Sequence, residues 1–139
     1  MEWTETPIRV RYQETDQMGV VYHANYFVWF EVARTEMIKK FGISYKKLEE
    51  KGLLLPVFDV SCQYKVAAKY DDDLLIQARL KAYSSLRMTF EYQVIRVTDE
   101  RLLATGETSH VWIDKNFKPV RLEKVAPEIH QTLISLVNL

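Results

Sequence analysis

The sequence predicts an α+β domain: a long, curved, antiparallel five-stranded sheet wrapped around one central helix, with a further helix at the C-terminus. Three observations predict it. From residue 25 the apolar positions recur at helical spacing, and the first half of that segment is apolar nearly all round, as in a helix buried on most sides. Beyond residue 57, successive stretches alternate apolar and polar side chains with the period of two that marks half-buried strands. The order is one strand, one helix, then a run of strands, which places the helix on one face of an antiparallel sheet. With 139 residues and a hydrophobic fraction of 47%, the chain has material for one core, and a single domain over residues 1–139 is expected.

In chain order, residues 6–12 alternate Ile8, Val10 and Tyr12 against Arg9 and Arg11, so the first strand is expected to carry Tyr12 on its inner face. Residues 13–24 read as a loop around Gly19, with Asp16 suited to bonding nearby amides and Glu14 expected in solvent. Asn25 suits a helix N-cap and Gly42 the C′ position that ends the helix. Residues 44–51 predict a short exposed helix closed by Gly52. Strands follow over residues 58–66, 74–82, 88–94 and 102–113. The last carries small residues at Ala104, Gly106 and Ser109 that let another element approach closely. Residues 123–137 predict the C-terminal helix, with Pro127 in its first turn. The long strands leave sheet edges for a partner chain to cover.

Composition excludes several functions. Nineteen basic residues balance nineteen acidic ones, so the field that non-specific nucleic-acid binding needs is missing. The single Cys62 cannot form an internal disulfide and is expected as a reduced buried thiol. No secretory signal or membrane-length apolar run is visible, which suggests a cytoplasmic protein. Three scattered histidines and one cysteine give no metal-ligand spacing. Neither a Gly-rich phosphate loop nor a nucleophile elbow occurs.

The chemistry concentrates between Tyr12 and Arg34. Asp16 sits in a loop between a strand and a buried helix, with His23 seven residues on, beside a helix start whose free N–H groups point outward. Such amides polarise a carbonyl oxygen, and a nearby carboxylate attacks or activates water. Asp16 as a turn aspartate, His23 as a hydrogen-bonding structural residue and Tyr12 as core packing are the alternatives. Glu31, on the apolar part of the helix, requires a partner such as Arg34. His110 and His130 read as ordinary strand and surface residues.

The pattern Tyr12-x3-Asp16-x2-Gly19-x2-Tyr22-His23-Ala24-Asn25-Tyr26 resembles the hotdog-fold acyl-CoA thioesterases of the 4-hydroxybenzoyl-CoA thioesterase branch, nearest the YbgC-like group. The similarity continues through Phe30-Glu31-x-Ala33-Arg34, Ala68-x-Tyr70-Asp71-Asp72 and Lys118-Pro119. The resemblance implies that Asp16 is nucleophile or general base and that the His23 backbone N–H polarises the thioester. It implies Tyr12 beside the acid, Asn25 at the substrate, no cofactor, and a homodimer or homotetramer with sites between subunits. Arg87, Lys118 and Arg121 are the basic residues expected to meet the phosphates of an acyl-CoA substrate. Glu123 stands where many relatives carry proline, so the C-terminal turn is expected to differ. The rival readings are a hydratase or dehydratase on the same fold and a non-catalytic acyl-CoA-binding module.

Overall fold

A computed structural model describes all 139 residues. Five strands form one antiparallel sheet in the order β1-β3-β4-β5-β2: β1 (Thr4–Arg9), β2 (Val57–Tyr64), β3 (Asp73–Tyr83), β4 (Arg87–Arg96) and β5 (Arg101–Val111). The helix α1 (Asn25–Lys40) lies across the sheet. It buries Trp29, Phe30, Ala33 and Met37 in one core with Ile76, Ala78, Phe90, Tyr92, Val94 and Ala104. This is the α+β architecture the patterning predicts.

Phe30 sits at the centre of that packing. Its ring stacks on Tyr92 with centroids 4.3 Å apart, and it passes over Gly106 of β5. A Cβ at Gly106 would lie 2.6 Å from Phe30 Cζ and 2.8 Å from the Ser61 carbonyl oxygen. The glycine is therefore what lets the helix reach the sheet, as the run of small residues suggested. Gly106→Ala is expected to cost about 1–3 kcal/mol through overpacking, read as a lowered denaturation midpoint with an unchanged slope; an unaltered midpoint would mean that α1 yields easily here.

Three local expectations need correction. The first strand ends at Arg9, and Tyr12 does not point inward: it lies in a short 3-10 turn, Tyr12–Glu14, 76% exposed, edge-on to Tyr70. The chain leaves the sheet because Val10 makes its last backbone bonds with Asp71 and Asp72, and the Glu14 carboxylate then takes the Arg11 N–H at 2.8 Å. Asn25 is not the N-cap; Ala24 occupies that position without a side-chain bond, and Asn25 is the first helical residue. The C-terminal helix is broken into α3 (Leu122–Val125) and α4 (Pro127–Val137) at Ala126. Proline excludes the residue before it from helical geometry, so Pro127 starts a new helix instead of sitting inside one.

The end of α1 follows expectation. Gly42 takes φ +81°, its N–H bonds the Lys39 carbonyl, and the Ile43 N–H returns to Ile38. These two bonds make a Schellman motif. The next helix, α2 (Tyr45–Glu50), is capped by the Ser44 side chain, which accepts from the Lys47 N–H.

One face of α1 and the β2 edge of the sheet are left largely uncovered by the chain. Val28 and Val32 on α1 and Phe58, Val60 and Tyr64 on β2 are each 40% exposed or more. The helix is thus less enclosed by its own chain than its apolar first half suggests.

Candidate active site

Glu14 organises the loop between β1 and α1. Contrary to the expectation of a solvated residue, it is only 5% exposed. Its Oε1 accepts from the Arg11 N–H at 2.8 Å, and its Oε2 accepts from Trp29 Nε1 at 2.8 Å. Its carbonyl accepts from the Tyr22 N–H at 2.9 Å and from Asn25 Nδ2 at 2.8 Å. One residue therefore ties both ends of the loop to the first two turns of α1. Trp29 is the signal that could have exposed it, since a buried indole N–H requires an acceptor.

With its ends fixed, the loop folds tightly. Thr15 and Val21 form an isolated bridge, the Asp16 N–H donates to the Val20 carbonyl, and the Gly19 N–H donates to the Asp16 carbonyl. Gly19 adopts φ +79°, a conformation glycine takes without steric cost. Asp16 Oδ1 accepts from the Met18 N–H at 2.9 Å, as a turn aspartate does. That bond uses one carboxylate oxygen, and the half-buried side chain still borders a cavity.

The cavity, of about 240 Å³, is lined by Asp16, Met18, His23, Tyr26, Tyr64 and Val66 among others. The structure therefore brings Asp16 and His23 to one cavity. The His23 carbonyl accepts from the Tyr64 hydroxyl at 2.9 Å, which pins the entry to α1 against β2. At this helix start the Asn25 N–H is spent on the Tyr22 carbonyl, whereas those of His23 and Ala24 have no backbone acceptor. Of these two residues at the helix N-terminus, His23 shares the cavity with the Asp16 carboxylate.

The other expected residues are elsewhere. Tyr12 is outside the cavity, and Asn25 directs its side chain to Glu14. Arg87, Lys118 and Arg121 are all exposed; Arg121 reaches the 84–87 turn, where its Nη1 donates to Ser85 Oγ at 3.1 Å, and Arg87 lies over the Phe58 ring. Tyr64 pairs with Ala104 and Arg87 with Val111. Seven residues of β5 separate those positions, about 23 Å at ~3.3 Å per residue. The basic residues and the Asp16 cavity therefore sit at opposite ends of the sheet. Glu31 and Arg34 do not pair: Glu31 is exposed, while Arg34 turns inward with its Nε buried.

A second polar group is buried under the far half of α1. The Tyr92 hydroxyl and His110 Nε2 both meet Thr108 Oγ1, at 2.6 and 2.9 Å. Burial, together with the nearby Arg34 charge, pushes the His110 pKa down to about 4. The folded state therefore resists protonation that the unfolded chain accepts near pH 6.5. Stability is complete above pH 6.5 and falls as pH drops toward 4, by about 3 kcal/mol in all. Urea titrations across that range should show the loss; a His110→Phe variant should lack that portion of the slope.

The chain is similar to known proteins over most of its length. The family model described as the thioesterase-like superfamily matches residues 10–132. YneP of Bacillus subtilis is 39% identical over 131 residues, 94% of each chain. The acyl-CoA thioesterase YbgC of Haemophilus influenzae is 37% identical over 119 residues, 85% of this chain and 87% of its own. The crystal structure of a DHNA-CoA thioesterase from Staphylococcus aureus superposes with a TM-score of 0.96 at 37% identity, covering 100% of this chain and 93% of that one. A helix wrapped in this five-stranded sheet is the hotdog fold, and the chain belongs to the thioesterase-like superfamily.

Proposed function

We propose that the protein is an acyl-CoA thioesterase that hydrolyses a coenzyme A thioester to the free acid and coenzyme A. The observation that carries this reading is that Asp16 and His23, whose backbone N–H is unspent at the α1 start, line one cavity. The thioester oxygen would accept from that N–H, which strengthens its hold as the oxygen becomes an oxyanion. Asp16 then either attacks the carbonyl carbon or removes a proton from a water that does. In the first route the C–S bond breaks to give a mixed anhydride, which water cleaves to regenerate the carboxylate. In the second, water adds, the C–S bond breaks and the thiolate leaves with a proton. A thiolate is a good leaving group, so neither route needs a strong acid. The His23 side chain is free to assist from the cavity wall, and Tyr26 and Tyr64, instead of Tyr12, are the tyrosines that line the cavity.

The working enzyme in this proposal is a cytoplasmic single-domain protein acting as a homodimer or larger assembly. The unpaired β2 edge and the exposed Val28, Val32, Phe58 and Val60 supply an apolar face suited to a second copy. Antiparallel pairing of two β2 edges would set the Val57 end of one copy beside the Tyr64 end of the other. The basic residues of the second copy would then flank this Asp16 cavity, where the phosphates of coenzyme A could meet Arg87, Lys118 and Arg121. No helix is long and apolar enough to cross a membrane.

The test is thiol release from short, long and aromatic acyl-CoA thioesters, with sedimentation of the same preparation. Release from at least one class by an assembly larger than one chain is expected. Binding of every thioester without release, or addition of water with the thioester intact, would overturn the reading.

A further inference from the structure

The start of α1 is weakly held by its own helix. Ala24 stands at the N-cap without a side-chain bond, and two of the bonds that open the helix are long: the Tyr26 N–H reaches the His23 carbonyl at 3.4 Å and the Phe27 N–H reaches the Ala24 carbonyl at 3.2 Å. His23 is the residue for which this matters, since it lines the Asp16 cavity and its N–H is unspent. A peptide group is planar, so fixing its carbonyl also fixes the direction of its N–H. The two peptide groups that flank His23 are each fixed by one short bond. The Tyr22 carbonyl, in the peptide that carries the His23 N–H, accepts from the Asn25 N–H at 3.0 Å. The His23 carbonyl accepts from the Tyr64 hydroxyl at 2.9 Å, a shorter bond than the one it receives from Tyr26.

Tyr64 is a firm post for that bond. It ends β2, paired with Ala104, and the N–H groups of Lys65 and Val66 just after it both donate to the Leu103 carbonyl, at 2.8 and 3.1 Å. Its ring meets Tyr26 edge-on with centroids 5.0 Å apart and His23 edge-on at 6.3 Å. Partial burial, then the adjacent Cys62 thiol and the Tyr26 hydroxyl, hold the Tyr64 phenol above the usual tyrosine range. The hydroxyl therefore keeps its proton and stays a donor at neutral pH. One side of His23 is thus held from within the loop and helix, and the other is held from the sheet.

We propose that Tyr64 is a positioning residue for thioester hydrolysis: its hydroxyl, fixed by the sheet, holds the His23 peptide so that the His23 N–H stays aimed at the substrate carbonyl oxygen. The inference rests on the thioesterase reading and adds to it a residue outside the loop and helix that supply the chemistry. Tyr64 transfers no proton. Its effect grows as the carbonyl oxygen gains charge, because a donor already held in place needs no reorganisation. It therefore appears in kcat more than in ground-state binding. Loss of a direct oxyanion donor costs about 10²–10³-fold, and a looser hold on that donor costs less, about tenfold.

The test is Tyr64→Phe, which keeps the ring against Tyr26 and His23 and removes the hydroxyl alone. Its kcat should fall about tenfold with KM within about twofold of wild type. Its melting temperature should hold to within a degree or two, because the lost bond is solvent-exposed. The basic limb of the pH–rate profile should be unchanged. A basic limb lost with the hydroxyl would make Tyr64 an acid and overturn the proposal, as would a wild-type kcat or a loss matched by dissociation of the assembly in sedimentation. Infrared spectroscopy reads the polarisation itself, with a thioester isotope-labelled at its carbonyl carbon and bound to Asp16→Asn. The carbonyl stretch should lie below that of the free thioester, and adding Tyr64→Phe should return part of the shift; an identical stretch in both proteins would overturn the positioning role. Absence of thiol release from every thioester by the wild-type protein would instead fail the thioesterase reading. The same comparison of stretches, made between wild type and Tyr64→Phe, would then decide the positioning role, and a protein that binds no thioester would overturn both.

Discussion

Asp16→Asn is expected to lower the rate of thioester hydrolysis about 10³-fold while leaving the melting temperature within a degree or two of wild type. The substitution separates the two roles that Asp16 combines. Its structural role is acceptance of the Met18 N–H by one side-chain oxygen, and an asparagine carbonyl oxygen serves equally well there. The Asp16 backbone bonds with Val20 and Gly19 do not involve the side chain. What asparagine lacks is the charge and basicity of the second oxygen, the one available to a thioester or a water. Thiol release by the variant, followed beside its thermal unfolding, is the measurement. A variant that melts normally and hydrolyses at the wild-type rate would remove Asp16 from the chemistry and leave only the turn.

The parts of the fold set by periodicity were legible in the sequence. The strand alternation located β3, β4 and β5, and Gly42 marked the end of α1 because a Schellman motif needs a residue that accepts positive φ. The small residue at position 106 announced a close approach, although not that Phe30 makes it. Bonds that reach across the chain were not legible. Parity placed Tyr12 inside because a strand was assumed to continue, yet the Glu14 carboxylate folds the chain at Arg11 and turns Tyr12 outward. Glu14 read as solvated because a loop glutamate usually is; its partner, Trp29, lies fifteen residues away on the buried side of α1. Asp16 and His23 were found because they are close in sequence and share one loop and helix start. The distance between that start and Arg87, Lys118 and Arg121 depends on strand register, which a linear pattern does not encode.

Glu14→Ala is expected to be the more damaging change for the molecule as a whole, although Glu14 touches no part of the Asp16 cavity. Removing the carboxylate strands the Trp29 indole N–H in a site where Trp29 is 2% exposed, and it frees the Arg11 N–H that fixes the 3-10 turn. Each bond to an ionised acceptor contributes about 1.5–3 kcal/mol, and a buried donor left unmet carries its own desolvation penalty. The loss should therefore be about 4 kcal/mol, read as a melting temperature lower by about 10 °C or more. Activity should fall too, because Asp16 is held against the α1 N-terminus only through the loop that Glu14 anchors. A double-mutant cycle isolates the cause. Trp29→Phe removes the indole donor and keeps a ring in the core, so pairing it with Glu14→Ala should cost less than the sum of the two single changes, by about 1 kcal/mol or more. Additive losses would show that the Glu14–Trp29 bond is not what holds the loop, and the anchor would then have to be the Glu14 carbonyl and its bonds to Tyr22 and Asn25.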